Sequence, residues 1–250
     1  MCGIGGIFSY KVFDGSERGD VLAKSVKMLE GLESRGRDAM GIAVINTHTG
    51  VYGYCKVGMK VGDVVKGKEF LEWMKGQMGR EFNLVMLHAR LGTKGRKDDN
   101  KNNHPIFYDK YGSFLVHNGV VSDYDELKKE FDLKLDGDVD SELMLAMCHK
   151  KKGDFKKMAK AMGGSFAVAL YHDSMLYLWC DGNPVVLAYD KMLERHYFVS
   201  EKWIVERLFE EEHTKWGIFT EITYSRKGLG WKEFGRGDGQ KVNFYDGKYV

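Results

Sequence analysis

The 250-residue chain carries 38 Lys and Arg against 36 Asp and Glu, a formal net charge of +2, with 43% hydrophobic and 30% charged residues. That is the composition of a globular protein able to bury a sizeable core, and it excludes a disordered or fibrous chain. So small a charge imbalance offers no concentrated basic patch, and no stretch approaches the roughly 20 apolar residues that span a bilayer, so neither nucleic acid nor membrane is expected as a partner.

Taken in chain order, residues 3–8 of the opening "MCGIGGIF" read as a short strand, and "GDVLAKSVKMLEGLESRG" sets Val21, Leu22, Val26, Met28, Leu29 and Leu32 close to one helical face. Strand-like runs follow at "MGIAVIN", "VYGYCKV" and "FNLVMLHARL", with a helix over 67–77 between the last two. "KYGSFLVHNGVVSDYDELKKEF" reads as strand, tight turn and a helix capped by Ser122 or Asp123, and a further helix starts near Asp140 with Leu143, Met144 and Met147 inward. "GGSFAVALYHDSMLYLWCDGNPVVLAYD" alternates apolar runs with turn signals, as an antiparallel meander does. A short helix near 201–209 and a charged, glycine-containing tail complete a chain that reads as one α+β domain over 2–250.

Cys2, Cys55, Cys148 and Cys180 are far apart, form no C-x-x-C pair and follow no secretory signal, which points to a reducing, cytoplasmic setting. The eight histidines show no metal-ligand spacing, so no metal and no cofactor is expected. Two motif matches fail on chemistry. "GDVVKGKE" puts Glu69 where a phosphate loop needs a hydroxyl, and "DGDVDS" has Ser141 and Met147 where a calcium loop needs its glycine and bidentate glutamate.

Cys2 is different. An initiator methionine ahead of a small residue is normally removed, which leaves Cys2 with a thiol and a free α-amine. Such an amine has an ordinary pKa of about 7.7 to 8.0 and can accept the thiol proton, so that one residue supplies nucleophile and base. The alternative is a small hydrophobe in a strand. "HNG", His117 to Gly119, offers a side-chain amide and an adjacent backbone N–H, the two donors that a developing oxyanion requires; it also fits a plain turn. Arg90 and Asp140 would suit the α-carboxylate and α-ammonium of a free amino acid, or a surface ion pair and a helix cap.

In order, "MCGIGGIF", "SRGRDAMGIAV", "HARLGTKG", "NNHPIF", "LVHNGVVSDYDEL", "DVDSE", "GGSFAVAL" and "CDGNPVVLAYD" resemble the glutaminase domain of class II glutamine amidotransferases, such as those of glucosamine-6-phosphate synthase and glutamine phosphoribosyl-pyrophosphate amidotransferase. The resemblance runs from residue 2 to roughly residue 210. It implies an Ntn-hydrolase fold, a four-layer αββα sandwich of two antiparallel sheets. It implies that Cys2 attacks the carboxamide of L-glutamine, releases ammonia and leaves a glutamyl thioester for water, with Asn118 and Gly119 as the oxyanion pair. Arg90 then matches the α-carboxylate ligand, Asp140 the α-amino ligand, and Thr93 the loop that folds over glutamine. His117 belongs to the same substrate-binding segment, and Gly3, Arg35 and Asp38 are supporting residues.

The sequence departs from the family at Leu91, where relatives carry an aromatic residue, at Cys180, where many have arginine and where a core thiol is expected, and in the charged loop "KGRKDDNK". Residues 211–250 are expected to supply closing strands and a charged tail, too little for a second active site. The expectation is thus a glutaminase subunit serving a separate ammonia-accepting synthetase or ligase. The alternatives are an autonomous glutaminase or γ-glutamyl amidohydrolase and a catalytically silent regulatory module.

Overall fold

A computed structural model describes residues 1–108, 112–150, 161–190, 192–210, 223–224, 239–243 and 248–249. In chain order its elements are β1 (Gly3–Phe8), α1 (Gly15–Leu32), β2 (Ala39–Ile45), β3 (Tyr52–Val57), α2 (Val61–Val64), α3 (Lys68–Met78), β4 (Leu84–Arg90), a 3₁₀ turn at Asn100–Asn102, and β5 (Ile106–Tyr108). There follow β6 (Ser113–Val121), α4 (Tyr124–Glu130), α5 (Asp140–Lys150), β7 (Gly164–His172), β8 (Met175–Asp181), β9 (Val186–Asp190), β10 (Arg195–Val199), α6 (Lys202–Glu210), β11 (Thr223–Tyr224), β12 (Gly239–Asn243) and β13 (Lys248–Tyr249).

The strands form two antiparallel sheets. One is seven-stranded in the order β11-β9-β10-β1-β4-β2-β3, and the other six-stranded in the order β13-β12-β8-β7-β6-β5. Their inner faces share a core that includes Ile4, Phe8, Leu84 and Met86 from the first sheet and Phe114, Val116, Ala169 and Leu178 from the second. Cys180 lies in this core, 3% exposed, as the expected core thiol. The outer face of the first sheet is covered by α1, α3 and α6 through Leu29, Phe70 and Ile204, and that of the second by α4 and α5 through Leu127, Leu143 and Met144. Helix, sheet, sheet and helix are therefore stacked in four layers, the α+β architecture that the resemblance implies.

This layering explains the glycines of the opening. β1 is central in its sheet and covered on both faces, so every one of its residues is buried. A Cβ at Gly3 would lie 2.9 Å from Leu32 Cδ2 and 3.1 Å from the Leu32 carbonyl, so the end of α1 approaches the strand only because no side chain intervenes. The helix itself begins earlier than the hydrophobic periodicity suggests. Asp14 caps it by accepting from the N–H groups of Ser16 and Glu17, while the Glu17 carboxylate accepts from the Asp14 N–H at 2.9 Å, a reciprocal capping box that nucleates an extra turn.

The α4 cap also differs from expectation. Asp123 occupies the cap position, yet its carboxylate accepts from the Gly163 N–H at 3.0 Å and makes no bond to the helix it precedes. It ties the start of α4 to the start of β7. In the tail, β11 pairs with β9 and β12 pairs with both β8 and β13; the remainder of 211–250 lies outside the described residues.

Candidate active site

Cys2 precedes β1, and its side chain reaches the turn at the end of β4. Sγ lies 3.4 Å from both the Leu91 N–H and the Leu91 carbonyl oxygen, so this turn can accept from the thiol or donate to the thiolate. Burial pushes the Cys2 thiol up, and the Leu91 hydrogen bond, the N-terminal amine and Arg90 act in the opposite direction. The thiol therefore stays protonated until a base takes its proton. Met1 stands ahead of it, 65% exposed and open to removal.

The supporting residues brace this corner. Arg35 donates Nε–H to the Cys2 carbonyl oxygen at 2.9 Å and is ion-paired to Glu201. The Asp38 backbone N–H donates to the Arg90 carbonyl at 2.8 Å, and its carboxylate accepts from the Gly92 N–H at 2.7 Å, which holds the turn after β4 in place. Burial lowers the Arg90 pKa, and the nearby acidic groups, the Cys2 thiolate when formed, Asp38 and Asp140, act in the opposite direction, so these groups share one electrostatic neighbourhood.

Arg90 is 3% exposed and already engaged. Its guanidinium donates to Asn103 Oδ1 at 2.8 Å and to the carbonyl oxygens of Lys94 at 2.5 Å and Gly95 at 2.8 Å. It thus anchors the loop that carries Thr93. Lys94 Nζ sits 3.4 Å from the centre of the Tyr124 ring, a cation–π contact that fastens the same loop to α4. Beneath it lies a cavity of about 390 Å³ lined by residues that include Thr93, Lys94, Val121, Tyr124 and Asp140, roomy enough for an amino-acid side chain and backbone. From Leu91 to Lys101 the loop is exposed, apart from Gly95, which is half-buried.

The second sheet supplies the rest. Asp140 is the first residue of α5, and its carboxylate accepts from the Val121 N–H at 3.0 Å and lies 3.7 Å from His117 Nδ1. Asn118 is fully buried, and neither atom of its side-chain amide has a hydrogen-bond partner among the described residues. Gly119 has φ +149°, and a Cβ there would lie 2.2 Å from the Ser165 carbonyl oxygen, so only glycine lets β6 run this close to β7. His117 Nδ1 is hydrogen-bonded to Ser141 Oγ at 2.9 Å.

Behind the site, three imidazoles are buried together. His88 Nε2 donates to the His117 carbonyl oxygen at 2.9 Å, linking β4 to β6 across the two sheets, and the His88 ring stacks on His104 with centroids 4.0 Å apart. Burial lowers the His88 pKa to about 3, that of His104 well below its ordinary value, and that of His117 also, so all three are neutral. Among the described residues no cluster of His, Cys, Asp or Glu could hold a metal ion, and no helix is long and apolar enough to cross a membrane.

Sequence reasoning does not find Asn103, the side-chain acceptor for Arg90, or Asn183, whose Nδ2 donates to the Asn118 carbonyl at 3.0 Å. Asn103 lies within the segment "NNHPIF", and Asn183 reads only as part of a turn.

Residues 88–206 match the family model of the glutamine amidotransferase domain. The glutamine–fructose-6-phosphate aminotransferase of Fusobacterium nucleatum is 30% identical over 184 residues, 69% of this chain and 27% of the relative. The 7-cyano-7-deazaguanine synthase of Saccharolobus solfataricus is 26% identical over 210 residues, 80% of this chain and 43% of the relative. The chain thus spans between about a quarter and less than half of the length of these relatives. Among solved structures, the glutamine phosphoribosylpyrophosphate amidotransferase of B. subtilis aligns with a TM-score of 0.71 at 15% identity, covering 100% of this chain and 49% of its own. A glutamine aminotransferase class-II domain protein from Silicibacter pomeroyi aligns with a TM-score of 0.51 at 15% identity, covering 81% and 89%. The chain carries a class II glutamine amidotransferase domain with an Ntn-hydrolase-like fold.

Proposed function

We propose that this domain hydrolyses the side-chain amide of L-glutamine and passes the ammonia to an acceptor on a synthetase or ligase partner. Removal of Met1 exposes the Cys2 α-amine, which takes the thiol proton. Sγ then bonds to the amide carbon, and the carbonyl π-electrons move to oxygen. Asn118 Nδ2–H and the Gly119 N–H receive that oxyanion. The ammonium returns its proton to the departing nitrogen, the C–N bond breaks, and ammonia leaves a γ-glutamyl thioester. Water, deprotonated by the same amine, cleaves the thioester to glutamate and free thiol. Arg90 and Asp140 hold the α-carboxylate and α-ammonium, and Thr93 lies on the closing loop.

The observation that carries this reading is the orphaned amide of Asn118, fully buried and unpartnered among the described residues. Leaving such a group unsatisfied costs about 1–3 kcal/mol, and a ligand oxygen that bonds to it only in the transition state recovers that cost where it speeds the reaction. Acceptance of the ammonia elsewhere is supported by the relatives, an aminotransferase and a synthase that are both much longer than the matched region.

Intact mass before and after a glutamine-mimicking chloroketone, alongside ammonia release, tests the reading. Loss of Met1, one adduct on Cys2, and neither adduct nor ammonia in Cys2→Ala are expected. Modification at Cys55, Cys148 or Cys180 in place of Cys2 overturns it. Full turnover without any stimulating partner would identify an autonomous glutaminase.

A further inference from the structure

Asn183 sits in the turn between β8 and β9, far in sequence from the residues assigned above, yet its side chain reaches into their strand. Nδ2 donates to the Asn118 carbonyl oxygen at 3.0 Å and to the Ser165 carbonyl oxygen at 3.2 Å. The turn is shaped for this reach. Gly182 has φ +82°, and it bridges to Phe166, the residue paired with Gly119 across β6 and β7.

The Asn118 carbonyl and the Gly119 N–H are the two ends of one planar peptide group and point in opposite directions. Whatever fixes the oxygen therefore fixes the hydrogen. Because the same Nδ2 also holds Ser165 of β7, the Asn118 oxygen faces β7. The Gly119 N–H is then directed to the other side of β6, where the pairing with β5 has already ended at Leu115. A hydrogen bond at the oxygen also polarises the peptide and strengthens its N–H as a donor. Glycine alone would leave this peptide free to rotate; a clamp from a second segment removes that freedom.

We infer that Asn183 is a positioning residue, which sets the plane of the Asn118–Gly119 peptide and so aims the Gly119 N–H at the oxyanion. This rests on the glutamine-hydrolysis reading, and it assigns Asn183 no contact with substrate. Its effect should appear where charge develops on oxygen and not where the amino-acid end of glutamine is held.

The test compares wild type with Asn183→Ala and with Asn183→Asp, which keeps the shape and removes the N–H donors. Glutamine kcat and KM, the thermal midpoint, and the affinities for glutamate and for glutamate γ-semialdehyde are measured. The aldehyde adds the Cys2 thiol across its C=O, giving a tetrahedral adduct whose oxygen occupies the oxyanion position. Expected are a fall of about ten- to a hundredfold in kcat, KM within about twofold, aldehyde affinity reduced by the same factor as kcat, and glutamate affinity little changed. Asn183→Asp should be at least as slow as Asn183→Ala, since a carboxylate there faces two carbonyl oxygens. Unchanged kcat in either folded variant, or loss of activity that only follows the folded fraction, overturns the inference. A wild-type chain that releases no ammonia and takes no label at Cys2 overturns the hydrolysis reading itself, and this inference with it. An active wild type with indifferent variants overturns the inference alone.

Discussion

Arg35 donates Nε–H to the carbonyl oxygen of Cys2 at 2.9 Å while the same guanidinium is ion-paired to Glu201 at the threshold of α6. The backbone of the proposed nucleophile is thus tied to the segment after α1 and, through Glu201, to the start of α6. Arg35→Ala should cut kcat about tenfold or more by loosening Cys2, with a smaller effect on KM. Arg35→Lys should not restore it, because one ammonium cannot reproduce the forked geometry. Steady-state kinetics of the two variants check this.

Asn118 offers a separation of stability from activity. Asn118→Leu replaces an unpartnered buried amide by an apolar group of similar volume, so the thermal midpoint should hold or rise. Ammonia release should fall by about a hundred- to a thousandfold. A lower midpoint together with retained turnover would show that the amide is structural.

Arg90 holds the loop as well as, on the proposed reading, the substrate. Arg90→Lys should raise the glutamine KM and also free the loop, since it loses the paired bonds to the Lys94 and Gly95 carbonyls. Limited trypsin digestion should cut faster at Lys94, Arg96 and Lys97 in the variant than in wild type.

The Lys94–Tyr124 contact should act on substrate retention. Lys94→Ala and Tyr124→Leu should each raise KM a few-fold with little change in kcat. A double-mutant cycle should give a coupling of about 0.5–1 kcal/mol, the range for a solvent-accessible cation–π pair.

The buried imidazoles set an acid limit. His88, lowered to about 3, and His104, lowered well below its ordinary value, refuse protons that the unfolded chain takes up near pH 6.5. Below that pH the unfolded state binds more protons, so stability falls as pH falls, by up to about 1.4 kcal/mol per pH unit for each histidine, and for His88 this continues to about pH 3. Urea midpoints between about pH 7 and about pH 5 should decline accordingly, and His88→Asn should flatten the slope.

The elements of this fold are largely legible because their signals are local. The α1 stripe, the β7–β8 hairpin and the helix from Asp140 follow from apolar spacing and turn residues, whereas β9, expected to continue an antiparallel meander, crosses to the first sheet and pairs with β10. The capping box at Asp14 is equally local, yet it lies ahead of the periodic stretch and escapes a reading based on period. What stays hidden is what only the tertiary fold creates. His88, His104 and His117 follow no common period and meet because two sheets stack. Asp123 has the chemistry of a cap, but the nearby Gly163 N–H takes its carboxylate. Asn183 reads as an ordinary turn residue until β6 and β7 are placed beside it.

The thiol enters from β1 of one sheet, whereas Asn118 and Gly119 belong to β6 of the other. The proposed attacking atom and anion receptor are therefore mounted on opposite slabs, and the intervening layer that includes Ile4, Phe8, Met86, Phe114 and Val116, together with the His88–His117 hydrogen bond, keeps the slabs in register. A slip of one slab past the other would separate the two halves of the chemistry while leaving each intact. Subtle repacking of that layer, remote from every reacting atom, should consequently detune turnover before it unfolds the chain.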